Sequence, residues 1–61
     1  MNKFSVNYYT QEKSEQPYIC STWQNNKEDA IERIKQIEKG KTVIVTKVNV
    51  WDTKINKYVL A

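Results

Sequence analysis

Between Lys3 and Thr10 the chain alternates, with Phe4, Val6 and Tyr8 on one side and Ser5, Asn7 and Tyr9 on the other. This is the period of a strand buried on one face. The period changes after Asn26. Ala30, Ile31, Ile34 and Ile37 recur at i, i+1, i+4 and i+7, which at 3.6 residues per turn draws one apolar stripe along a helix running from Asn26 to Gly40. Asn26 is a good N-cap, and Asp29 stands where a capping box places its acid. Glu28 and Asp29 in the first turn, with Lys35, Lys39 and Lys41 at the end, oppose the helix dipole. Gly40 supplies the left-handed residue expected at C′.

The segments flanking the helix read as strands. Gln11 to Gln16 is polar and predicts a loop ending at Pro17, which suits the first residue of an edge strand. Tyr18 to Trp23 resumes strand character, with Tyr18, Cys20 and Thr22 on one face and Ile19, Ser21 and Trp23 on the other. Apolar area favours Ile19 and Trp23 as the inward pair. After Gly40 and Lys41, the run Thr42 to Trp51 is rich in β-branched residues and predicts the longest strand. Its parity is broken: Ile44, Val48 and Val50 share one face, and Val43, Val45 and Trp51 the other. Either Val43 to Val45 is covered on both sides, or a bulge near Thr46 and Lys47 shifts the register. Asp52, Thr53 and Lys54 have turn character, and Ile55 to Leu60 closes a second hairpin.

The predicted fold is a single α+β domain over residues 1–61, ββαββ, with one helix packed on one face of a mostly antiparallel four-stranded sheet. One helix leaves the other sheet face to water or to a partner. In its order of elements the chain resembles the β-grasp arrangement of small immunoglobulin-binding domains and ubiquitin-like folds. That resemblance implies central, parallel pairing of the first and last strands, and carries no function with it. An ordinary meander crossed by the helix is the alternative.

Composition narrows the chemistry. With 61 residues, one cysteine and no histidine, the chain offers no intramolecular disulfide and no zinc ligand set. Cys20 reads as a half-buried strand residue. No apolar run is long enough for a signal or a membrane span, so the expected compartment is the cytoplasm. Nine lysines against one arginine, with six asparagines and six isoleucines, have the flavour of an AT-rich coding sequence and hence of a low-GC bacterium or its phage. The net charge of +3, with a pI near 9.1, permits nucleic-acid contact. Arg33 is the sole arginine, and it lies on the helix.

Nothing in the sequence marks an enzyme. There is no histidine for general-base work and no glycine-rich phosphate loop, Gly40 being the single glycine. No cofactor, metal or small-molecule substrate is expected. Glu28, Asp29 and Glu32 read as solvated helix charge, with Glu32 placed to pair with Lys35 or Lys39. The seven aromatic residues carry more meaning, because all lie outside the helix. Phe4, Tyr8 and Trp23 are assigned to the core. Tyr9, Tyr18, Trp51 and Tyr58, with Lys47 and Lys57 among them, are the candidate partner-binding residues on an uncovered sheet face. The preferred expectation is a small non-enzymatic protein-binding module, working through that face or by self-association as a homodimer, and modulating a larger partner as a phage or mobile-element accessory would. The alternative is single-stranded nucleic acid, its bases stacked on Tyr and Trp and its phosphates on lysines.

Overall fold

The computed structural model describes residues 1–61. Five elements follow in the order β1 (Asn2–Thr10), β2 (Lys13–Gln24), α1 (Lys27–Ile37), β3 (Val43–Asp52) and β4 (Lys57–Leu60). The strands form one sheet in the order β2-β1-β3-β4, and every neighbouring pair is antiparallel. The likeness to a β-grasp therefore ends at the order of elements, since β1 pairs with β3 and no strands pair in parallel. Both β2 and β3 run against β1, so they point the same way with β1 between them. A chain leaving β2 must return to the starting end of the sheet before it can form β3, and α1 makes that crossover.

The helix ends are set by specific residues. Asn26 Oδ1 accepts from the Asp29 backbone N–H at 2.8 Å, which supplies the side-chain half of a capping box. At the other end the helix stops at Ile37, with Glu38 as the cap, earlier than the glycine suggests. Gly40, at φ +82°, instead serves the turn that follows, in which the Lys41 N–H donates to the Glu38 carbonyl at 3.0 Å. No atom crowds the place its Cβ would occupy, so the backbone angle is what calls for glycine. The ion pair in this region joins Lys41 to Glu38 at 3.7 Å; Glu32 makes none.

The core is small. Phe4, Val6 and Tyr8 of β1, Ala30 and Ile34 of α1 and Val48 of β3 are buried, with Tyr18, Cys20, Ile31, Val43, Val45 and Val50 packed partly against them. Ile37, the last residue of the predicted stripe, remains 48% exposed because the helix ends there.

The broken parity of β3 is resolved by a bulge. Asn7 pairs with Lys47 and Tyr8 with Val45, leaving Thr46 as the extra residue. Thr46 Oγ1 donates to the Asn7 carbonyl at 3.1 Å, so the side chain of the inserted residue satisfies a group beside the break. The bulge puts Val43, Val45, Val48 and Val50 all on the helix side, and Ile44, Lys47, Asn49 and Trp51 on the other.

A second irregularity overturns the expectation for β2. The segment Lys13 to Gln16 is strand, joined to β1 by the two-residue turn Gln11–Glu12. Thr10 pairs with Lys13 and Tyr8 with Tyr18, so two steps along β1 correspond to five along β2. The three extra residues are an odd number, and an odd shift exchanges the faces. Pro17, which has no N–H for the ladder, lies within this break. Tyr18 and Cys20 thus face the helix, while Ile19 and Trp23 point away, 73% and 60% exposed. Trp23 is not a core residue. The last strand begins at Lys57, after a turn in which Asp52 Oδ1 accepts from the Lys54 N–H at 2.8 Å and Asn56 takes φ +57°.

Candidate functional site

The face opposite the helix is the candidate site. Its geometry follows from the pairings, because residues directly opposite each other in antiparallel strands share a face. Trp23 stands beside Lys3, and Trp51 beside Tyr58. The β1–β3 register carried one step further brings Lys3 next to Trp51, which makes a row Trp23, Lys3, Trp51, Tyr58 across all four strands. The next row is Ser21, Ser5, Asn49, Leu60, and the one after it Ile19, Asn7, Lys47. Tyr9 and Ile44 end the face. Rows lie about 7 Å apart and strands about 4.8 Å. Trp51 and Tyr58 meet edge to face, with ring centroids 5.1 Å apart.

Of the six residues singled out from the sequence, four lie on this face: Tyr9, Lys47, Trp51 and Tyr58. Of these, Trp51 and Tyr58 are in contact, while Lys47 and Tyr9 stand two and three rows away. Tyr18 does not lie on it. It stacks on Tyr8 on the helix side, ring centroids 5.3 Å apart, and forms part of the core wall. Lys57 stands opposite Asp52, one position past the Trp51–Tyr58 pair, and so belongs to the helix side as well. In their place the structure adds Lys3, Ile19, Trp23, Ile44 and Leu60. The alternation of β1 already placed Lys3 outside. Ile19 and Trp23 could be found only through the three-residue break in β2, which no local pattern announces.

Charge is sorted between the two sides. The charged residues in the paired rows of the open face are Lys3 and Lys47, and no carboxylate joins them. Glu28, Asp29, Glu32 and Glu38 lie on the helix and its end, Glu12 and Glu15 at the β1–β2 hairpin, and Asp52 on the helix side of β3. The open face can thus attract an anionic surface without repelling it.

On the covered side the Tyr8 hydroxyl donates to Glu38 Oε2 at 2.7 Å, tying β1 to the end of α1. Burial, and then the carboxylate it donates to, push the Tyr8 pKa above its ordinary value. This is a structural bond: the tyrosine is held in its neutral form, away from any cavity. The one concavity, about 350 Å³, lies at the hairpin and is lined by Glu12, Lys13, Ser14, Glu15 and Gln16, all polar. It is the hollow of the bulged β2 backbone and lies beyond the aromatic row. No three Cys, Asp or Glu side chains gather as metal ligands, and no helix is long and apolar enough to cross a membrane. Compared with protein-family models, with curated proteins and with solved structures, the chain matches none.

Proposed function

We propose that this domain is a small non-enzymatic binding module that engages a larger protein through its open sheet face. The observation that carries this reading is the exposure of Ile19, Trp23 and Leu60, at 73%, 60% and 73%, on one surface of a 61-residue chain. Aliphatic side chains such as Ile19 and Leu60 gain from contact with the apolar surface of another protein and offer nothing for a base to stack on. Lys3 and Lys47 select a partner surface that carries carboxylates. Two copies placed face to face would oppose these lysines to one another, which favours a foreign partner over a homodimer. The lysine-rich, AT-flavoured composition agrees with a cytoplasmic accessory protein of a phage or other mobile element.

One observation favours a second reading. The row Trp23, Lys3, Trp51, Tyr58 on a carboxylate-free face has the elements of a single-strand platform, in which each stacked base contributes about 1 to 3 kcal/mol. Affinity capture from a host lysate, with and without nuclease, compared with a Trp23→Ala, Leu60→Ala variant, tests both. The protein reading expects a partner that resists nuclease and is lost with the variant. Nuclease-sensitive capture, together with oligonucleotide affinity that falls steeply with salt, would replace it with the nucleic-acid reading. Capture that survives in the variant would dismiss the open face altogether.

A further inference from the structure

The sheet is unequal. Strands β1, β2 and β3 have 9, 12 and 10 residues, and β4 has 4. Strand β4 pairs only with Asn49 to Asp52, and beyond it the Ala61 N–H donates to the Val48 carbonyl at 2.9 Å. Along Val43 to Lys47 the outer side of β3 has no neighbouring strand, and the backbone hydrogen bonds outside the ladders do not reach it. In an antiparallel strand alternate residues turn both N–H and C=O to the same side, so this stretch presents backbone donors and acceptors that no protein group pairs.

The sheet's other free edge, the outer side of β2, is of a different kind. Its first part is broken by the three-residue irregularity and carries Pro17 among Lys13, Glu15 and other polar residues, devices that keep edges from pairing. Beyond the break, Tyr18 to Gln24 is a regular free edge of mixed composition, with Ser21, Thr22 and Gln24 in it. On β3 the free stretch carries Val43, Ile44 and Val45, the strongest β-formers in the chain, and only the bulge and Lys47 at one end guard it.

We propose that the outer edge of β3 from Val43 to Lys47 is a strand-addition site that takes an extended segment of the partner protein, about five residues long, antiparallel to β3 and in line with β4. The inference rests on the protein reading above and adds the form in which the partner arrives. The edge opens onto the open face at Ile44, Lys47 and Leu60, so a single partner can lay a strand on the edge and side chains across the face. The chemistry of the segment follows from its neighbours. On the helix side it meets the half-buried Val43 and Val45, which call for β-branched apolar residues. On the open side it meets Ile44 and the exposed Lys47, which call for an aliphatic residue and a carboxylate.

The test uses the full chain and a capped hexapeptide, Glu-Val-Ile-Val-Thr-Val, as the probe. Hydrogen exchange by NMR should show the outward amides between Val43 and Lys47 slowing at least tenfold at saturating peptide. A backbone N-methylated peptide with the same side chains should bind at least tenfold more weakly, since it cannot complete a ladder. Equal binding of the methylated peptide, or protection confined to other strands, overturns the proposal. Protection that grows with protein concentration alone would assign the edge to a second copy and overturn it too. The Trp23→Ala variant separates this site from the open face. Loss of protection in that variant would mean that the peptide had settled on the face. Normal protein capture by a chain that never protects the edge would leave the protein reading intact and remove the edge.

Discussion

The two faces of this sheet are built from similar residues and end differently. The covered face carries Phe4, Val6, Tyr8 and four valines of β3; the open face carries Trp23, Trp51, Tyr58, Tyr9, Ile19, Ile44 and Leu60. Hydrophobicity therefore did not decide which face is buried. The helix did, by its length: eleven residues rise about 16 Å, against a molecule 38 Å long and 20 Å wide. Such a helix can seal one face over β1 and its neighbours and nothing more. The side chains it covers hold the fold, and those it leaves are free to do something else.

If that division is right, truncation on the covered face should be costly. Ile34 is fully buried, and Ile34→Ala should destabilise by about 3 kcal/mol through lost transfer energy and the cavity left behind. In a domain this small that loss should leave much of the protein unfolded at ambient temperature, seen as loss of the cooperative urea transition. A transition that barely moved would mean that the helix is not what seals this face.

The Tyr8–Glu38 bond should come next. Tyr8→Phe should cost about 1.5 to 3 kcal/mol, as for a partly buried hydrogen bond to a charged acceptor. The same bond has a pH signature. Because the folded-state pKa of Tyr8 is raised above its unfolded value, the contribution is fully present below about pH 10 and is lost as pH rises beyond it. Denaturation midpoints measured above pH 10 should fall less steeply in Tyr8→Phe than in the parent chain. Parallel curves would remove Tyr8 as the group responsible.

A smaller effect of opposite sign is expected at Thr10. Its hydroxyl oxygen is buried and has no hydrogen-bond partner. Thr10→Val keeps the shape and removes the unpaired group, so the protein should gain about 1 kcal/mol, read as a higher melting temperature. Destabilisation would show that the hydroxyl has a partner such as a bound water.

The smallest effect on stability belongs to the open face. Trp23→Ala should change the unfolding free energy by no more than about 0.5 kcal/mol, as at exposed sites in general, while abolishing partner capture. A large loss of stability would mean that Trp23 packs within the fold, and would erase the contrast between the faces.

Much of this division could be read from the sequence, and the failures have identifiable causes. The helix was visible because its stripe and its N-cap agree, and because nothing outside it changes which residues face in. The β1 alternation held for the same reason. The broken parity of β3 is legible and leaves two explanations, cover on both sides of Val43 to Val45 or a bulge near Thr46 and Lys47. Only the pairing of Asn7 with Lys47 and Tyr8 with Val45 decides for the bulge. The orientation of β2 failed. Judging by apolar area placed Ile19 and Trp23 inside, and that is also what a simple two-residue hairpin would give. The break at Ser14 to Pro17 reverses it, and pairing then lays Cys20 against Val6 and Tyr18 against Tyr8. The polar stretch Gln11 to Gln16 looked like a loop because an edge strand projecting past the helix is wet on both sides and shows no alternation. Within the candidate site, Lys47 and Trp51 of β3 and Tyr58 of β4 are legible in the sequence and Ile44, Leu60 and the misplaced Lys57 are not, while the break in β2 is what hides Ile19 and Trp23.

The bulge at Thr46 also makes this the one place in β3 where chain length carries no information about facing. Deleting that single residue would leave Tyr8 opposite Val45 and Asn7 opposite Lys47, with the four valines still under the helix, because the bulge absorbs one extra residue. A one-residue deletion elsewhere in the strand would turn everything on one side of it to the other face. Here it would cost only the local bend and the Thr46 bond to the Asn7 carbonyl, so loss of a residue should be tolerated at Thr46 where it would not be at Ile44 or Asn49.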